Sequence, residues 1–135
     1  MSGFWDDAEL INSYTRRQAI ADGVLVDMEQ DELGQLRREA GVKWPIAMTA
    51  TAFSQYVELT PAAVKAGNDM KGRWWDILTM WKDAVRKSNV DGAELLFRFL
   101  CVVDRQKPTL VTLKAVAGPD DDGQPCLTFM LPEED

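Results

Sequence analysis

Histidine is absent from all 135 residues. Without it the chain can build neither a Ser-His-Asp or Cys-His arrangement nor a histidine-ligated metal. Cysteine is scarce: Cys101 and Cys126 sit far apart in apolar, strand-like runs. That placement points to buried, reduced thiols, and two thiols without histidine make no zinc site of the usual kind. Glycine-rich phosphate loops, a dinucleotide fingerprint and a G-x-S-x-G elbow are all missing, so no metal and no cofactor is expected. No apolar run approaches the roughly 20 residues of a membrane helix. The opening "MSGFWDDAELINSY" has neither the basic start nor the apolar stretch of a secretion signal, and a cytoplasmic protein away from membranes is expected. Basic residues are the minority sign, 15 against 22 acids for a net charge of -7. Direct binding to nucleic acid is therefore disfavoured, and the acidity either serves solubility or meets a basic partner surface.

What is present describes an ordinary globular chain. Apolar residues make up 46% and charged residues 27%, enough for a single domain over residues 1–135 with a real core. Two aromatics in "FWDDAELIN", Phe4 and Trp5, argue that this opening arm packs down rather than staying in water. Thr15 followed by Gln18 forms a capping box, Ala19 to Ala21 favour helix, and Gly23 suits the left-handed residue that ends one. "VLVDM" then reads as a short strand. "DELGQLRREA" places Leu33, Leu36 and Ala40 at helical spacing, acids first and arginines late, as the helix dipole favours. "VKWPIAMT" is extended through Pro45, and Thr49 or Thr51 caps a helix carrying Phe53, Tyr56 and Val57. "TPAAV" reads as another helix start and "KAGND" as a loop.

The longest helix spans Met70 to Ser88. Trp74, Ile77, Leu78, Trp81 and Val85 lie at offsets 0, 3, 4, 7 and 11, one stripe on its surface. From Glu94 the period changes to that of strands: "ELLFRFLCVV", "TLVTLKAVA" and "PCLTFML", the last two joined by the turn cluster "GPDDDGQP". The expected fold is α+β, with N-terminal helices packed on a C-terminal three-stranded antiparallel β-meander.

Few residues suggest chemistry. "DDDG" lacks the ligand pattern and terminal glutamate of a calcium loop and reads as a hairpin turn, while Asp6, Asp7 and Glu133 to Asp135 read as solvated charge. Asp22 and Asp27 flank "GVLV" and are the available acid/base pair; the competing reading is a helix end and a strand end. Arg16 and Arg17 conflict with the dipole at a helix start, which suggests either anion contacts or a salt bridge to the acidic N-terminal arm. Three tryptophans crowd one helix and cannot all face the core, which leaves Trp75 and Met80 as candidates for a partner surface. The candidate partner-binding residues are thus Tyr14, Arg16, Arg17, Trp75 and Met80, with no catalytic residue assigned.

Four stretches together carry a resemblance: "SYTRRQAIADGVLVD", "REAGVKWPIAMT", "RWWDILTMW" and "VTLKAVAGPDDDGQPCLTFMLPEED". The chain resembles a family of small uncharacterised bacterial proteins with a YTR-x-QAI-x-DGVLVD start and an MLPEED end, departing from it by a longer segment between Asp27 and Gly41. Members of that family are commonly encoded on plasmids, integrative elements and prophages, and the family supplies no catalytic residues. The resemblance implies a non-enzymatic interaction protein of a mobile genetic element, including an anti-defence, anti-CRISPR-like inhibitor that presents an acidic surface to a nucleic-acid-binding host complex. The alternatives are an enzyme acting on a nucleotide or nucleic acid through Tyr14, Arg16, Asp22 or Asp27, and a homodimer using aromatic surface near Trp75.

Overall fold

A computed structural model describes residues 15–58, 61, 69–88, 92–102 and 108–134. The opening arm, Tyr14 and most of "TPAAVKAGND" lie outside the described residues. In chain order the elements are α1 (Arg16–Ala21), β1 (Leu25–Asp27), α2 (Asp31–Glu39), β2 (Ile46–Thr49), α3 (Ala50–Tyr56), α4 (Met70–Lys87), β3 (Glu94–Val102), β4 (Pro108–Pro119) and β5 (Pro125–Met130).

Local signals act as their chemistry requires. The Thr15 hydroxyl accepts from the Gln18 amide at 3.0 Å and the Gln18 side chain accepts from the Thr15 amide at 3.1 Å, closing the capping box of α1. Gly23, at φ +79°, takes the left-handed position after it. Thr49 caps α3 through the Ala52 amide. "DDDG" is a turn held by Asp120, whose carboxylate accepts the Asp122 and Gln124 amides at 2.9 Å each.

The sheet corrects the expected architecture. Instead of a C-terminal three-stranded antiparallel meander there is one five-stranded mixed sheet, in the order β1-β2-β5-β4-β3. Two of its strands come from the N-terminal half. β1 pairs antiparallel with β2, and β2 pairs parallel with β5, Ile46 opposite Leu127 and Met48 opposite Phe129. The physical reason is burial on both faces. Ile46, Ala47 and Met48 are all at or below 1% exposure, so β2 carries no polar–apolar alternation to announce a strand.

Alternation along β5 separates the two faces of the sheet. On one face Phe129 meets Trp74, Trp81 and Phe97 at ring-centre distances of 5.8, 5.9 and 5.3 Å, beneath α2, α3 and α4. On the other, Thr128 accepts a hydrogen bond from the Arg16 guanidinium at 2.7 Å, and the same group donates to the Leu127 carbonyl at 2.6 Å. α1 therefore lies on the face opposite α4.

A largely buried ion pair holds the N-terminal half to the sheet. Arg37 is buried; its Nε and Nη2 donate to Glu29 Oε1 at 2.9 and 2.7 Å, and its Nη1 donates to the Val42 carbonyl at 2.7 Å. The other Glu29 oxygen accepts the Ile46 amide at 3.1 Å, where β2 begins. α2 approaches closely enough that a Cβ at Gly34 would run into the Glu29 carbonyl. The tail is also anchored: Glu134 Oε1 accepts from the Thr49 hydroxyl at 2.7 Å and the Leu131 amide at 2.9 Å, and the Lys114 ammonium donates to the Glu134 carbonyl. Glu134 is thus a tether rather than solvated charge.

Removing one partner of a largely buried pair leaves the other charged and unpaired. Glu29→Ala is expected to lower unfolding free energy by about 2–4 kcal/mol, read from urea denaturation. A second expectation concerns acid. The Arg17 and Arg16 amides hold the Asp121 carboxyl below its ordinary value. A depressed carboxyl pKa stabilises above the unfolded value and loses that contribution as pH falls through the folded one. The Arg16 and Arg17 amide resonances should therefore titrate with a midpoint below the ordinary aspartate value of about 3.9, and Asp121→Asn should abolish that titration.

Candidate functional site

Four of the five candidate contact residues are described, and they do not form one site. Arg16 and Arg17 bind the β4–β5 turn: their amides donate to the two Asp121 carboxylate oxygens at 2.8 and 3.0 Å, and the Arg17 guanidinium lies 3.9 Å from Asp122. The dipole conflict read from the sequence is resolved here, because Asp121 brings negative charge to the start of α1. Trp75 and Met80 lie on α4, across the sheet; Trp75 is half-buried against the core and Met80 is 40% exposed. Asp22 stands at the C-cap of α1, its amide donating to the Gln18 carbonyl. Asp27 accepts the Glu29 amide at 3.0 Å in the turn after β1. Tyr14 lies outside the described residues.

An open concavity lies elsewhere. The tryptophan stripe of α4 is fully buried at Trp74, Ile77 and Leu78 and half-buried at Trp81, but Val85 is 44% exposed. Beneath those last turns the sheet offers only small residues, Ala115 and Ala117, with Leu127. The space left open is a groove of about 570 Å³, closed on its other side by Gly41 to Trp44 and by Glu94 and Leu95. Such a volume lies within the range of ligand pockets. A second hollow of about 310 Å³ reaches Pro119 and Pro125, and Trp44 and Ala117 line both. The indole of Trp44, 42% exposed, stands at the junction of the two.

Each wall has a local cause. The Trp44 backbone precedes Pro45, which restricts it to extended conformations, and Ile46 is pinned by Glu29. Lys82 Nζ donates to the Ala40 carbonyl at 2.6 Å, where the C-terminal end of α2 welcomes a cation. Arg86 and Lys87 flank Asp83 at 2.9 and 3.0 Å; these two cations, Lys87 first, hold the Asp83 carboxyl below its ordinary value. Lys43 has no ion-pair partner among the described residues. The groove therefore combines an apolar floor, two indoles and the cations Lys43, Lys82 and Arg86. This arrangement suits an apolar or aromatic group carried beside an anion.

Arg73 is a second unanticipated feature. It is 4% exposed in the first turn of α4; Nη1 donates to the Tyr56 carbonyl at 3.2 Å, while Nε and Nη2 lack partners among the described residues. Its spacing of four from Ile77 and eight from Trp81 was the available signal, since those offsets share one helical face. Burial pushes up the neighbouring Tyr56 hydroxyl and Cys101 thiol. Both cysteines are buried free thiols. Among the described residues no group of three carboxylate or thiol side chains is placed to hold a metal, and no helix is long and apolar enough to cross a membrane.

The whole chain, residues 1–135, matches a family described as "Family of unknown function (DUF6573)", and the protein belongs to that family. No curated protein and no solved structure matches it.

With two nitrogens that lack partners among the described residues, Arg73 is expected to be a net cost to stability, since a buried charge is compensated only when its hydrogen-bonding positions are filled. Arg73→Met, which keeps the volume and removes the charge, is expected to raise unfolding free energy by about 1–2 kcal/mol, measured by chemical denaturation.

Proposed function

We propose that this member of the family is a protein-interaction module without catalytic turnover, and that the Trp44 groove is its contact surface. The observation that carries the reading is Trp44 itself, a large indole 42% exposed at the junction of two hollows. Tryptophan supplies more binding energy per residue than most side chains when a partner buries it. Trp81 in the same groove offers a second aromatic wall, and Lys43 and Arg86 stand beside it. The fitting partner is a protein segment that inserts an apolar or aromatic side chain and places a carboxylate next to those cations.

The finer part of the proposal is a cytoplasmic role for a plasmid, integrative element or prophage, as an anti-defence inhibitor of a nucleic-acid-binding host complex. It rests on the motif resemblance and on the net charge of -7, which draws the chain toward a basic surface over distances the groove does not reach. The groove then contributes the short-range contact. An enzyme built on Tyr14, Arg16, Asp22 and Asp27 is less well supported. The Arg16 guanidinium is committed to Thr128 and Leu127, and Asp27 to the Glu29 amide.

Affinity capture from host lysate at low and high salt, with the wild-type chain and Trp44→Ala side by side, tests both parts. Loss of a hot-spot tryptophan costs about 2 kcal/mol or more, so the captured partner should fall at least tenfold with Trp44→Ala while the unfolding midpoint stays near wild type. Capture should also weaken as salt rises. A partner retained equally by Trp44→Ala would refute the groove as the contact.

A further inference from the structure

Among the described residues β3 is an edge strand, and it is unusually bare for one. The strand order there leaves it paired on one side only, to β4, along all nine residues. Natural edges are blunted by lysine, proline, bulges or short length; from Glu94 to Cys101 this one has no lysine and no proline. On the face away from α4 it exposes Leu96 at 58% and Leu100 at 62%, and Leu110, opposite Leu100 on β4, is exposed at 56%. Glu94 and Arg98 share that face by alternation. Neither has an ion-pair partner among the described residues.

The order Glu94, Leu96, Arg98 is self-complementary when read in opposite directions. An antiparallel pair of identical strands is related by a two-fold axis, so one residue faces its own copy and the rest follow. With Leu96 at the axis, Glu94 faces Arg98 of the second copy twice over, Leu96 faces Leu96, and Leu100 faces Gly92. With Arg98 at the axis, two guanidinium groups confront each other, which is unfavourable for directly opposed residues. With Phe97 at the axis, each charge faces a leucine.

We propose that a second copy of this chain pairs antiparallel with β3 about a two-fold axis at Leu96, joining the two sheets into one of ten strands. The seam covers the leucines at its centre and satisfies both charges with the opposite sign. A seam of this size falls at the small end of protein interfaces, so the dimer forms reversibly at micromolar and higher concentrations. Glu94 and Leu95 also line the Trp44 groove, which places the seam beside it. The dimer does not depend on what the groove binds.

Sedimentation of the full chain from low micromolar to several hundred micromolar tests the proposal. The wild type should move from monomer to dimer. Glu94→Arg, which sets one guanidinium against another at both ends of the seam, should weaken association about tenfold or more. The double swap Glu94→Arg with Arg98→Glu should restore it. Leu96→Cys should form a disulfide-linked dimer under mild oxidation, because directly opposed Cβ atoms lie about 4.5–5.5 Å apart. Trp44→Ala should leave the dimer intact, which separates this result from the groove reading. A wild type that stays monomeric throughout overturns the proposal. So does a dimer indifferent to Glu94→Arg, or one that cross-links through Arg98→Cys and not through Leu96→Cys. Should Glu94→Arg fail to fold, the Leu96→Cys cross-link decides alone.

Discussion

The Glu29–Arg37 pair is the interaction on which the N-terminal half depends. One carboxylate and one guanidinium tie together the turn before α2, α2 itself, the connection at Val42 and the first residue of β2. Burying such a pair is expensive unless the geometry is good and the remaining hydrogen-bonding positions are used. Here both Glu29 oxygens and three Arg37 nitrogens are engaged. Gly34 belongs to the same device, since only a residue without Cβ lets α2 close onto the Glu29 carbonyl. Once Ile46 is held there, β2 stands where β5 can pair beside it, and Trp44 is carried to the mouth of the groove.

The C-terminal half is organised around Phe129, which two tryptophans and Phe97 surround. This aromatic cluster explains why α4 carries so much tryptophan, and also why the helix does not cover the sheet evenly. Trp74 fills the space over the centre of the sheet, while beyond Trp81 the facing residues shrink to Ala115 and Ala117. The groove follows from that change in side-chain size. On the opposite face α1 is held at Thr128 and Asp121, and the outer surface of β3 and β4 keeps its leucines exposed.

Much of the local structure was legible in the sequence. Thr15 and Gln18 form their capping box, Gly23 ends α1, Thr49 caps α3, and the "DDDG" segment turns, each through bonds spanning a few residues. The candidate site was much less so. Arg16 and Arg17 stood out because they oppose a helix dipole, and the carboxylate that answers them arrives from more than a hundred residues away. Arg73 lay within the periodicity of its own helix, yet a charged residue beside an apolar stripe is ordinarily read as surface.

By itself the sequence determined the α+β class, the boundaries of most helices, the tryptophan stripe, the membership of an uncharacterised family and the absence of histidine chemistry. These follow from composition and from interactions between near neighbours. Only the tertiary structure decided that β2 inserts beside β5 in parallel, that Glu134 tethers the tail, and that α4 and small alanines leave a groove under Trp44. Each depends on which distant segments meet. Parallel pairing and burial on both faces leave no alternation behind, and a cavity is a mismatch between surfaces that share no stretch of chain.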